Sequence, residues 1–465
     1  MSMTQEAARV GVSRPGANMR ARLAGFIQRH VAGDEEGVRR GAASAFLVRV
    51  ASAGLLYLSQ IVLARWMGGF EYGVYIAVWT WVLVLGGLCN LGMPTLMIRL
   101  VPEHRERMQF DALRGLLFYG RLMPLMVAST VAVLGMLALT FASHLIVSDY
   151  LVPAIVAMLC VPLITLSDVH DGIGRGRGWM MTALLPPYVL RPLLVLLAML
   201  GAHALGWPMS ATTAAGAAII GTWTATGLQT VMLWSRLRSE VPTGARARPH
   251  GWWLSTSLPL LAITFSEILL QNTDILVVSH NLGPDQVAIY FAAAKTMSLV
   301  LFVHYAVGSA MAGRFAALNA RGDKAALGAA IRQAVNWTFW PSLAAAAGIL
   351  ALGKPLLWLF GPQFAAGYPV MLVLVVGFLC RAAAGPSELL LNMLGQQRAA
   401  AVVAISIASL NIALNLMLTP RFGLMGAASA SATSLMLGSI LNTLIARKKL
   451  GLSIAIWSNF RAHSA

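Results

Sequence analysis

Residues 44–81 decide the fold. Ala45-Phe46-Leu47-Val48-Arg49 leads through Gln60 to Leu63-Ala64-Arg65-Trp66-Met67-Gly68-Gly69-Phe70-Glu71-Tyr72-Gly73-Val74-Tyr75, and Ile76–Trp81 follows at once. An apolar span holding a single arginine meets a glycine turn, and a second apolar span begins without a linker. A weaker echo lies at 259–297, reading Val277-Val278-Ser279-His280-Asn281-Leu282-Gly283-Pro284-Asp285-Gln286-Val287-Ala288-Ile289-Tyr290. At one constant offset Met67 falls on Leu282, Gly68 on Gly283, Glu71 on Gln286 and Tyr75 on Tyr290. Self-similarity at so long a period marks a duplicated unit of about half the chain.

Composition sets the class. Hydrophobic residues make up 58% and charged residues 11%, with mean hydropathy +0.72, whereas a soluble domain carries about 25% charged residues. A chain of 465 residues with this balance is expected to be a polytopic membrane protein. The net charge of +17 does not point to nucleic acid, because the basic residues sit in short loops between apolar spans. Cys89, Cys160 and Cys380 all fall inside apolar spans and read as small buried hydrophobes. Residues 1–43 are basic and polar without an apolar h-region, so no cleavable signal is expected.

Stretches of roughly 20 apolar residues, enough to cross about 30 Å of hydrocarbon, recur about twelve times. They lie near 44–66, 73–98, 115–140, 151–169, 182–203, 211–235, 255–279, 286–313, 330–352, 367–390, 400–419 and 423–446. The fourth and fifth carry Pro153, Pro162, Pro186, Pro187 and Pro192, tolerated in membrane helices that kink around a cavity. The predicted fold is therefore all-α, with about twelve membrane helices in two six-helix halves around a central cavity. Basic residues fill every even-numbered connection, among them Arg105, Arg114, Arg177, Arg236, Arg314, Arg398 and Arg447, while the alternate loops hold only Arg65, Lys354 and Arg421. Both termini are thus expected in the cytoplasm. The expected organisation is a basic segment 1–43, a half at 44–235, a linker at 236–254, a half at 255–446 and a tail at 447–465. Halves that both enter from the same side are related by an axis along the membrane normal, an architecture used by transporters.

Any chemistry must come from ionisable residues inside the spans, where charge is costly and faces an aqueous interior. Arg191, Lys295 and Arg381 lie near mid-depth, and Arg49 lies nearer the cytoplasmic end of the first span. Either these cations line one cavity that receives an anion, or Arg49 snorkels to the interface and the other three form plain interhelical ion pairs. Glu267, Gln271 and Asp274 share one face of the seventh span. They read as an ion- or proton-coupling site, or Glu267 merely neutralises Lys295. His170-Asp171 has no third ligand and is expected at a solvated helix end. No P-loop, zinc-spaced cluster or Ser–His–Asp set appears, so neither cofactor, metal nor catalysis is expected.

The run Ala64-Arg65-Trp66-Met67-Gly68 with Glu71-Tyr72-Gly73-Val74-Tyr75, together with Asn90-Leu91-Gly92-Met93-Pro94 and the two sets of six spans, resembles a known family. It is the polysaccharide transporter (oligosaccharide flippase) branch of the multidrug/oligosaccharidyl-lipid/polysaccharide exporter superfamily. The resemblance covers nearly the whole span region and is strongest over 44–115. It implies a flippase of the bacterial inner membrane that carries an undecaprenyl-diphosphate-linked oligosaccharide to the outer leaflet for O-antigen, capsule or exopolysaccharide synthesis. Membrane lipid, the lipid-linked oligosaccharide, a polysaccharide polymerase and chain-length machinery are the partners it implies. The family's cationic lumen is matched in character by Arg49, Arg191, Lys295 and Arg381. The sister drug/cation antiporters place a carboxylate in the first span, where this sequence has Arg49 and no Asp or Glu. Drug/cation antiport is nevertheless the main alternative. A glycan polymerase or ligase is disfavoured by the short external loops.

Overall fold

The structure, a computed structural model, describes residues 15–141, 143–145, 148–247, 252–451, 454 and 456, with side chains from Ser52 onward except at 252 and 316. Hydrocarbon offers no partner to a free N–H or C=O, so every described spanning segment is helical. The helical segment α1, Pro15–Cys89, is interrupted and reverses at Gly68, where φ is 76° and ψ 173°. Tyr72 donates to the Gln60 amide oxygen at 2.8 Å across twelve residues, which a straight helix would hold about 18 Å apart. One helix is thus two antiparallel spans. Only glycine takes these torsions without strain, and nothing lies within 4 Å of where a Gly68 Cβ would stand, so the demand is torsional.

The second arm of α1 breaks at Asn90-Leu91-Gly92 and resumes as α2, Met93–Glu106. Leu91 and Gly92 have φ of 54° and 71°, and the Asn90 side-chain oxygen accepts from Gly92 N at 2.9 Å. The third span is α3, Phe110–Phe141. The fourth is α4, Ser148–Met158, bent 47° into α5, Val161–Gly176, with Pro162 at the start of α5. The fifth joins α6, Met180–Leu185, to α7, Arg191–Ala204, through one wide π turn at Pro186–Leu190. The adjacent prolines there lack amide hydrogens, and Arg191 N bonds back to Pro186 O. Helix α8, Ala211–Glu240, completes the first six spans; Glu71 caps its first turn by accepting from Ala211 N at 2.7 Å.

The second six begin with α9, Trp252–Asn281. Next come α10, Pro284–Ser298, with α11, Leu301–Arg321, and then α12, Lys324–Ala351. A short α13, Gly353–Trp358, leads to α14, Tyr368–Ala383, and α15, Ser387–Met393. Helix α16, Gln397–Leu450, reverses at Gly423 as α1 does at Gly68. A Gly426 Cβ would lie 2.2 Å from Leu418 O, and Asn411 donates to Ser434 at 3.2 Å across 23 residues. Among the described residues seven helices, or eight with the bent pair, are long and apolar enough to cross a membrane. The reversals at Gly68 and Gly423 divide two of them, and α8 and α12, 30 and 28 residues long, bring the spans to the expected twelve.

The two echo motifs touch. A Cβ on Gly73 would sit 1.8 Å from Pro284 O, so the turn at Gly68 and the turn at Gly283 interlock backbone to backbone. Below them the two sets of spans share an aromatic core. Tyr72 meets Phe291 and Phe364 at 6.2 and 6.3 Å, and Tyr57 meets Phe360 at 5.6 Å. Arg65 donates to Leu359 O and Trp358 O at 2.7 and 2.8 Å and lies over the Trp358 ring. Halfway down, Gly87 approaches Ile268, and lower still a Gly92 Cβ would be 2.2 Å from Ser257 O. At the opposite end Glu240 gathers Arg177 and, at 3.8 Å, Arg105, which brings the three basic connections of the first half together.

Gly73→Ala is therefore expected to prise the turns apart. With a cysteine at Asp285, a membrane-impermeant maleimide should label the Gly73→Ala variant several-fold faster than the parent; equal rates would show that the neighbouring backbone absorbs the methyl.

Candidate functional site

Arg191 is set at mid-span by the π turn, which widens the helix just before it. Its guanidinium lies 5.7 Å from the Trp79 ring centroid, and Trp79 stacks on buried Tyr75. No carboxylate stands within ion-pair distance of Arg191 among the described residues, although Asp168 is within electrostatic reach. Asp168 also bonds Asn90 at the break in the second span.

Lys295 is the matching cation of the second half. Its neighbours Ala292, Ala293, Thr296 and Met297 are fully buried, yet Lys295 itself is exposed. It lies about 16 Å along α10 from the start of that helix at Pro284. The ammonium stands 5.3 Å from the Phe291 ring and, like Arg191, has no ion pair among the described residues. Thr296, the next residue, hydrogen-bonds Tyr57 at 3.0 Å. Both cations therefore border α1, Arg191 on its second arm and Lys295 on its first.

The acidic stripe on α9 divides. Glu267 and Gln271 are exposed, whereas Asp274 is buried. Asp274 accepts from Tyr290 at 2.7 Å, from Ser431 at 3.3 Å and from Ile275 N at 2.9 Å, which ties α9 to α10 and α16. Of the two readings of Glu267, its pairing with Lys295 is not formed: Lys295 lies near Asp274, and the charged neighbours of Glu267 are Arg381 and Glu388. Two turns of helix separate Glu267 from Asp274, and Lys295 sits at the height of the latter. Arg381 pairs with Glu388 at 3.7 Å and has His304 within reach. Glu267, His304, Arg381 and Glu388 thus converge from α9, α11, α14 and α15.

Arg49 lies on α1, and its side chain falls outside the described ones. His170 is not at a solvated helix end. It is 1% exposed, and both ring nitrogens lack partners among the described residues. Sequence inspection passed over Arg121, His304 and Glu388, all inside spans. Arg381 and Glu388 are seven residues apart and so share a helical face in the sequence, but the Gly385-Pro386 break hides it. Ser167 donating to Gln229 at 2.8 Å joins α5 to α8, a contact between distant segments that no local pattern announces.

Two sets of six spans with charged side chains at mid-depth form an arrangement of the kind transporters use. The family model described as polysaccharide biosynthesis protein matches residues 38–315, and the MatE model matches 259–417. The chain belongs to the polysaccharide biosynthesis protein family. Among solved structures it is similar to the inward-facing conformation of a multidrug resistance MATE family transporter, with TM-score 0.70 and 15% identity over 87% of this chain and 98% of that one. The outward-facing conformation of such a transporter gives 0.63 at 16% identity, over 88% and 95%. A superfamily transporter from Pyrococcus furiosus, described as having a binding pocket of reverse polarity, gives 0.62 at 16%, over 89% and 95%. At these identities the likeness establishes the fold. No curated protein matches the sequence.

The split stripe makes a testable distinction. Asp274→Ala strands the Tyr290 hydroxyl, a cost of about 1–3 kcal/mol, and should lower the thermal unfolding midpoint of the purified protein. Asp274→Asn keeps an acceptor and should recover most of the loss, while Glu267→Gln should leave the midpoint unchanged. A destabilised Glu267→Gln protein would make that residue structural too.

Proposed function

We propose that this protein is a flippase for an oligosaccharide carried on undecaprenyl diphosphate, acting in the bacterial inner membrane with both termini cytoplasmic. One observation carries the proposal. Arg191 and Lys295, one from each set of six spans, stand at mid-depth on aromatic rings without ion-pair partners among the described residues. Charge so placed is expensive unless something anionic meets it. A diphosphate does so with charge-assisted hydrogen bonds to both cations. Arg381, paired to Glu388, contributes less and serves the sugar-bearing side of the headgroup. Arg49 is a further cation for the same lumen.

Transport proceeds by alternating access between the half at 44–235 and the half at 255–446. With the Gly68 end sealed by the aromatic core and the Arg65 bonds, the headgroup loads from the basic end while its polyprenyl tail remains in lipid. An anion leaving a negative interior moves with the field, worth about 2.3 kcal/mol per charge per 100 mV. Exposed Glu267 and Gln271 are the candidates for ion or proton coupling, with Asp274 holding the wall behind them. The product supports surface polysaccharide assembly by a polymerase and its chain-length machinery.

A second reading, drug/cation antiport, is favoured by the carboxylates Glu267 and Glu388 and by the likeness to multidrug transporters. Polymer export in cells lacking the chain separates the two. Losing one charge-assisted contact of about 1.5–3 kcal/mol, roughly tenfold to a hundredfold, Arg191→Ala and Lys295→Ala should each cut export with membrane abundance unchanged. Normal export by both, with drug sensitivity altered by Glu267→Gln, would favour the antiporter.

A further inference from the structure

A second cationic feature lies away from Arg191 and Lys295, in the first half. Arg114 near the start of α3 donates to Ala245 O and Pro242 O at 2.7 and 2.8 Å and pairs with Asp111, while Ala247 N bonds Asp111 O at 3.0 Å. These bonds strap residues 241–247 across α3. The strap holds exposed Arg246 4.2 Å from the Phe118 ring centroid. One turn further in, Arg121 donates its Nε to Leu117 O and has no carboxylate within ion-pair distance among the described residues. Arg121 lies within electrostatic reach of Arg246 on one side and His170 on the other. His170, on α5, is buried with both ring nitrogens unpartnered among the described residues.

The sequence of groups climbs from the basic end. Phe118 and Arg121 are about 12 and 16 Å along α3 from Phe110. Two guanidinium groups that approach one another without a counter-charge repel, and burial raises the cost. A buried imidazole with neither nitrogen bonded adds the penalty of two unmet groups. An oxyanion relieves all three, because guanidinium forks fit phosphate oxygens and a neutral imidazole supplies one further N–H.

We propose that Arg246 and Arg121, backed by His170, form a docking site for a phosphate or diphosphate group, where a lipid-linked headgroup is captured before it reaches Arg191 and Lys295. The proposal rests on the flippase reading for its cargo but not for its test. The strap makes Arg246 the outer contact and gives Arg114 a positioning role. A diphosphate spans the two guanidinium groups better than a single phosphate, so inorganic pyrophosphate is the probe.

The full chain in phosphatidylcholine nanodiscs is titrated calorimetrically with pyrophosphate. Arg246→Ala and Arg121→Gln are each expected to weaken one class of site about tenfold, the loss of a charge-assisted contact. Arg191→Ala with Lys295→Ala should spare that class. Arg246 is exposed on a strap, so its variant tests the site without endangering the fold; unchanged thermal unfolding checks Arg121→Gln. Wild-type titration by both variants overturns the docking site while leaving the central cations standing. Loss in these variants, with normal binding by the Arg191/Lys295 double variant, supports it even if the central reading fails. Nanodiscs containing phosphatidylglycerol decide the source: undiminished pyrophosphate binding supports headgroup capture, and abolished binding assigns the site to bulk lipid and overturns the loading role.

Discussion

The fold depends on one close approach, the backbone of Gly73 against that of Pro284. No side chain larger than hydrogen fits there. Because these residues follow the two equivalent turns, the contact brings like to like across the bundle and sets the spacing of everything below it. Tyr72, Phe291 and Phe364 fill the next layer, and Arg65 reaches across to two carbonyls. Two carbonyls of the second half thereby gain donors from the first.

Hydrocarbon makes isolated charge costly, and the molecule answers that cost in two ways. Asp274 is satisfied on every side by Tyr290, Ser431 and its own helix, so it behaves as a strut. Among the described residues Arg191 and Lys295 make no ion pair and lie over aromatic rings, which attract a cation weakly. The first arrangement spends a charge on stability; the second leaves it without an ion pair among the described residues. The strap that Arg114 ties along α3 shows the same economy at the basic end, fixing Arg246 through neighbours rather than through a counter-ion.

Much of this was legible in the amino-acid order. Hydropathy gave the all-helical class and about twelve spans, because hydrocarbon thickness dictates their length. The echo marked the two turns that meet. Prolines marked the irregular fourth and fifth spans, although a π turn at Pro186–Leu190 is a matter of how the freed carbonyls rebond. The pairing of acids with bases was not legible. Glu267 and Lys295 lie on neighbouring spans of the chain, yet the charged neighbours of Glu267 are Arg381 on α14 and the like-charged Glu388 on α15, and His170 sits inside rather than at a wet end.

The sequence by itself determined the class, the approximate number and order of spans, the turn at Gly68 and the likeness of the halves. Those properties follow from local torsions and from transfer of side chains out of water, both readable one segment at a time. Only the tertiary structure decided which charges are spent and which remain available. Electrostatic energy in a low dielectric depends on distances of a few ångströms between segments far apart in the chain, and helix packing alone fixes those distances.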